Sequence, residues 1–203
     1  GIVLLLVASL AGQVAFVYGN EGAGGADETL PGADFAGLRI GQSHKEIARK
    51  VQRKENLVGP GKSAFDGDQT LQAQTYRYTG SFNRDRYVDS TMLYFSRKGT
   101  LAGFDLFIRS STTAKRYLGE IERQFAKVEE GLYKAQVGRG PHAGSEVTIR
   151  LTRTRVEGSN HRSYTVEFRC PNILREENKT AEGEKGPGGD EKPDYLKAIE
   201  KAL

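Results

Sequence analysis

In two stretches of the chain apolar residues return every three or four positions, and in six others they alternate with polar ones. The first helical stretch is "SHKEIARKVQRK". Ser43 and Glu46 stand three apart, a capping box in which each side chain satisfies a free backbone N–H of the first turn. Ile47, Ala48 and Val51 then form its apolar stripe. The second is "STTAKRYLGEIERQFAKV", with Ala114, Tyr117, Leu118, Ile121, Phe125 and Val128 on one face and Gly131 beyond its end. After the first helix come three strand signals, "LQAQTYRYTG", "DSTMLYFS" and "LAGFDLFIR", the last two joined by a tight turn at Arg97-Lys98-Gly99-Thr100. After the second come "LYKAQVG", "EVTIRLTRTRV" and "RSYTVEFRC", the last pair joined around Gly158-Ser159-Asn160. The expected order is α-βββ-α-βββ. Short turns between strands imply an antiparallel sheet with helices on one face, an α+β domain. The two halves share a pattern of elements and almost no residues.

The flanks read differently. Residues 1–19 begin with "GIVLLLVASLAGQVAFVY", an uncharged apolar run. Its length suits the h-region of a secretory signal and falls short of the roughly 20 apolar residues of a membrane span. Val17 and Gly19 offer small residues for cleavage before Asn20, and an uncleaved signal-anchor is the alternative. Residues 20–35 are acidic and Gly-rich with little to bury, a linker. Residues 36–175 form the domain, and residues 176–193, "EENKTAEGEKGPGGDEKP", read as a second disordered linker. At 194–203, "DYLKAIEKAL", Asp194 can cap a short amphipathic helix bearing Tyr195, Leu196, Ile199 and Leu203 on one face. Ten residues are marginal as an isolated helix, so this one docks on its own core, docks on a partner or frays.

Charge sharpens the division. The net +4 combines four acids and no base in residues 1–35, 25 Lys+Arg against 14 Asp+Glu in 36–175, and five bases against eight acids in 176–203. The body is strongly basic and both flanks are acidic. An exported cationic domain is drawn to anionic lipid head groups and acidic polymers, with nucleic acid a further option. The single Cys170 excludes an intramolecular disulfide, so the fold stands on its hydrophobic core. One Cys in an exported chain leans towards a bacterial periplasmic or secreted setting.

"LRIGQSHKEIARKV" and the hairpin "MLYFSRKGTLAGFDLFI" with its following helix resemble the small exported proteins of the SmpA/OmlA group and the β-lactamase-inhibitor-protein-like domains. The likeness spans roughly residues 36–135 and lies in the Gly41–Ser43 helix entry and the apolar-Phe-x-x-x-Gly-x-Leu hairpin. It implies a non-catalytic envelope protein that binds another protein.

The motifs that carry chemistry are few. "NLVGPGKS" ends as a phosphate-binding loop ends, in Gly61, Lys62 and Ser63, but Asn56 stands at the first Gly and the segment follows a helix end. Gly59-Pro60-Gly61 reads as a turn. "DGDQT" alternates oxygens as a calcium loop does, yet Leu71 and Arg77 stand where the loop needs Gly and Glu. His44, His142 and His161 with Cys170 match no zinc spacing. No cofactor or metal is expected, and no Gly-x-Ser-x-Gly or His-Glu-x-x-His occurs.

One hairpin gathers cations: Arg150, Arg153, Arg155, Arg162 and Arg169, with Tyr164 among them. If Ile149 and Leu151 face the core, alternation puts Arg153 and Arg155 on that side too, so either a bulge intervenes or the strand outruns the core. Arginine forks suit carboxylates and phosphates; an edge strand blunted with charge is the other reading. The expectation is an exported, non-catalytic binding or envelope-associated protein that meets an acidic protein or anionic envelope component through this basic sheet surface. A secreted hydrolase with a dispersed catalytic set, and a nucleic-acid or anionic-lipid binder, are the alternatives.

Overall fold

The computed structural model describes residues 30–51, 56–155 and 162–183. The signal segment, most of the first linker, residues 184–193 of the second, the 194–203 helix and His161 lie outside the described residues. A two-stranded ribbon opens the fold, β1 (Asp34–Phe35) and β2 (Leu38–Arg39), followed by α1 (His44–Ala48). Four strands come next: β3 (Leu57–Phe65), β4 (Asp68–Thr79), β5 (Val88–Phe95) and β6 (Leu101–Ile108). Then α2 (Ser111–Gln124) leads into β7 (Ala126–Glu129), β8 (Leu132–Gln136), β9 (Glu146–Arg155) and β10 (Arg162–Arg169), and α3 (Pro171–Gly183) closes the described chain.

The eight long-sheet strands are antiparallel throughout and lie in the order β3-β4-β5-β6-β10-β9-β8-β7. The class is α+β. The triplets of strands become quartets: each half is a helix and a four-stranded meander, and the halves meet where the last strand of one pairs with the last strand of the other. The sequence hid β3 because Gly59-Pro60-Gly61 is punctuation in most contexts. Here those residues sit on the sheet edge, where a proline costs no ladder bond on the open side, and a register shift between Val58 and Gly61 absorbs them. Gly59 is also the only residue that fits, since a Cβ there would lie 2.7 Å from the Tyr76 ring.

The helices begin where their caps say. Ser43 and Glu46 make both halves of the capping box, and the Ser110 hydroxyl accepts the Thr113 N–H at 3.2 Å to start α2. The ends move. α1 closes at Ala48, and α2 closes at Gln124 because Phe125 turns extended to seat its ring in the core. Val128 therefore leaves the helical stripe and stands exposed on β7. The second linker is corrected too. Residues 176–183 belong to α3, whose Ile173 and Leu174 are fully buried ahead of its charged turns. The domain likewise starts earlier than residue 36, because Ala33 and Phe35 belong to the core.

Register fixes what each sheet face holds. Leu93, Phe104, Phe168, Ile149 and Tyr133 form one row across β5, β6, β10, β9 and β8, and all are buried. Phe35 stacks on Phe168 at 5.4 Å between ring centres, Phe104 stacks on its other side at 4.5 Å, and Tyr117 of α2 meets Phe35 edge-on. α2 crosses β6 and β10, and α3 reaches β6 and β4. Among the described residues no helix is long and apolar enough to cross a membrane.

Candidate functional site

The arginine hairpin divides by the parity of its positions. No register shift interrupts β9 and β10, so the alternation runs unbroken from Ile149 to Arg155. Arg153 thus lies on the core side, opposite Tyr164, but past the end of the core and in solvent. Tyr164 is half-buried against the core. Arg155 and Arg162 oppose each other two register positions further out. Arg150 and Arg169 lie on the other face, where Tyr94, Gly103 and Arg169 form one row and Met92, Asp105, Glu167 and Arg150 the next.

On that face the arginines are spoken for. Arg169 is only 6% exposed, pairs with Asp105 and donates to the Phe104 and Phe168 carbonyls. The Tyr94 and Phe65 rings hold the guanidinium between them, at 4.7 and 5.5 Å from their centres. The Tyr94 hydroxyl donates to Asp105 at 2.7 Å, and burial followed by the Asp105 charge drives its pKa well above the ordinary tyrosine value. Burial likewise raises the carboxyl of Glu167. Phe65 reaches this face because the β3–β4 turn folds over it, and Asp66 of that turn binds Arg150 at 2.8 Å. Asp68 of the same turn accepts the Thr70 hydroxyl at 2.6 Å and N–H at 2.8 Å, so the "DGDQT" oxygens serve the turn and an ion pair. Lys62 lies in extended β3, whose N–H groups point alternately to opposite sides and cannot converge on a phosphate.

The outer arginines find different company. The row Val88, Ile108, Tyr164, Arg153 places the end of β9 and the start of β10 at the same end of the sheet as the β4–β5 connection and the entry to α2. That end carries Arg84, Arg86, Arg109 and Arg116 beside Arg153, Arg155 and Arg162. Asp89 pairs with Arg109, and Asp85 with Arg116. Arg84, Arg86 and Arg153 are exposed and form no ion pair among the described residues. Tyr87 is 45% exposed, with the Arg86 guanidinium 4.9 Å above its ring. Asp85 organises the loop: it accepts the Tyr87 N–H at 3.0 Å and the Tyr117 hydroxyl at 3.0 Å. Burial alone would raise its carboxyl, but these bonds and Arg116 outweigh it and hold the group below the usual carboxylate value. Burial pushes Tyr117 up to about 12. The sequence signal was "NRDRY" between two strands, which only the register joins to the hairpin 70 residues on.

A second polar cluster ties α3 down. His142 is buried, with Nδ1 2.9 Å from Glu176 and Nε2 2.6 Å from Glu177. The ring donates both bonds only as imidazolium. Glu177 also accepts the Ser96 hydroxyl and, at 2.8 Å, the Thr100 hydroxyl. His142 thus reaches Ser96 through the carboxylate, whereas a nucleophile needs the base between hydroxyl and acid. The Cys170 thiol is buried, which raises its pKa to about 11 and keeps it protonated. Among the described residues no group of three or more His, Cys, Asp or Glu is placed to hold a metal ion. No protein-family model, curated protein or solved structure matches the chain.

Proposed function

We propose that this is an exported, non-catalytic binding protein that recognises an acidic protein or anionic envelope component through the arginine-rich end of its sheet. The observation that supports it is the row Val88–Ile108–Tyr164–Arg153, which brings a loop, a helix entry and the paired ends of β9 and β10 to one arginine-rich end of the sheet. The chemistry suits the task. Arginine presents a planar fork to carboxylates and phosphates, and arginine and tyrosine are the residues on which interfaces concentrate energy. Arg116 and Arg109 keep the loop in place through Asp85 and Asp89, while Arg84, Arg86 and Arg153 face outwards. The reading takes the helices to share the Phe168 face, in keeping with α2, so that the sheet end is open to a macromolecule. It also revises the hairpin site: Arg169 is buried and Arg150 is paired with Asp66 on the opposite face, and the contact surface is Arg153, Arg155, Arg162 and Tyr164 together with Arg84, Arg86 and Tyr87.

The test compares the full chain with an Arg84→Ala/Arg86→Ala/Arg153→Ala variant on vesicles containing anionic lipid, on poly-glutamate and on duplex DNA, across a salt series. Wild type should bind one of the first two at low salt. The variant should lose about tenfold or more and show a shallower salt slope. Equal binding by the variant defeats the proposal, and a preference for DNA moves it to the nucleic-acid reading.

A further inference from the structure

A cavity of about 430 Å³ opens between the β1–β2 ribbon, the end of α1 and the second half of α2. Arg39, Gln42, Lys50 and Arg139 line it together with Asp34 and Glu120. Arg39 is the unusual member. Its side chain is 12% exposed, and its one side-chain bond among the described residues runs from Nη2 to Glu46 at 3.5 Å. Among the described residues Nε and Nη1 are buried without a partner. Glu46 is a shared acceptor, since its other oxygen closes the capping box at 2.9 Å from the Ser43 N–H. A guanidinium so enclosed and so weakly compensated is costly unless a further anion approaches it. Lys50 does not need that anion, because its ammonium donates to the Gly37 carbonyl at 2.7 Å.

The rest of the lining narrows the ligand. Gln42 is 4% exposed and its Oε1 accepts no hydrogen bond among the described residues, so it calls for a donor. Asp34 and Glu120 add two carboxylates to the three cations, a mixture that disfavours a polyanion and suits a molecule of both signs. The lip is the ribbon turn at Ala36 and Gly37. Ala36 is held at φ +50°, a conformation that costs a residue with a Cβ and is kept where the surroundings demand it. We propose that this cavity binds a small zwitterion, an amino acid or a dipeptide. Its carboxylate compensates Arg39, and its ammonium lies towards Gln42, Asp34 and Glu120. A volume of this size falls within the range of small-molecule sites and leaves room for either length of ligand.

Calorimetric titration of the full chain tests it, with L-alanine and alanyl-alanine as zwitterions and propionate and ethylamine as the two halves. At least one zwitterion should bind with Kd below about 1 mM, with each half about tenfold weaker or worse. The tighter of the two tells a free amino acid from a peptide source. Arg39→Gln and Glu120→Gln should each weaken it by about tenfold. Where Arg39→Gln does not fold, Glu120→Gln and Arg139→Gln on the exposed rim carry the test, alongside the shift of the Arg39 Nε resonance on titration. Failure of both zwitterions to bind overturns the proposal. Unchanged affinity in the variants, or propionate binding as tightly as alanine, does the same.

Discussion

Asp105 and Arg169 show what one buried residue is worth here. Asp105→Ala leaves a guanidinium enclosed by Phe65 and Tyr94 with only carbonyl partners. The expected loss is about 3–5 kcal/mol, because the cost is that of an uncompensated buried charge. Urea denaturation measures it. The double variant Asp105→Leu/Arg169→Met removes both charges and should recover most of the loss; a double variant as unstable as the single would refute the account. Asp85 carries a pH signature. Its folded-state carboxyl titrates below the ordinary aspartate value, held there by its hydrogen bonds and by Arg116. The ionised form therefore contributes stability at pH above that value, and the contribution disappears as pH falls through the depressed folded value. Asp85→Asn should lower stability at neutral pH and flatten the acid limb of the stability curve, read by thermal melts from pH 7 downwards. An acid limb of unchanged slope counts against the assignment.

α3 is the element whose attachment rests on few groups. Ile173 and Leu174 anchor its first turn, and beyond them Glu176 and Glu177 meet His142, Ser96 and Thr100, while Asn178 donates to the Gln72 carbonyl at 3.0 Å. His142→Ala should speed amide exchange across 171–183 by about tenfold, since local opening follows the contacts that tether a segment. The strands β5 and β6 should keep their protection. Exchange in α3 equal to wild type would show that the apolar turn suffices alone. This element was invisible in composition: "EENKTAEG" has nothing to bury, and its order derives from a histidine in a distant loop. β3 was hidden for the opposite reason, an edge position that tolerates residues forbidden to a central strand. The caps at Ser43 and Ser110, by contrast, act within one turn and were legible or nearly so.

At the scale of the molecule the charge split takes a different form from the one composition implied. Of the eight acids after residue 175, Glu176, Glu177 and Glu182 lie on α3, and the remaining 184–203 segment holds five acids against four bases. Residues 1–29 hold three acids and no base. If an acidic flank competes for the arginine-rich end, the first segment has the charge to do so. In the chain that starts at Asn20, deleting residues 20–29 should tighten binding to anionic vesicles by several-fold at low salt, with the gain vanishing as the Debye length shrinks below about 8 Å. Deleting 184–203 should change little. The opposite ranking, measured by vesicle sedimentation, refutes the competition.

What the chain determined without help from tertiary contacts was everything that depends on neighbours a few positions away: the helix starts, the alternation of the inner strands, the hairpin at Gly99 and the α+β class. Alternation left open a bulge or a strand that outruns the core at Arg153, and the unbroken register of β9 on β10 shows no bulge there. The fold alone decided which arginines form ion pairs among the described residues. Arg150 and Arg169 were taken by Asp66 and Asp105 across 84 and 64 residues, and Arg84 and Arg86 were brought to Arg153 by strand order. Charges are long-ranged and carry no trace in sequence of their eventual neighbours, so only the closed sheet could assign them.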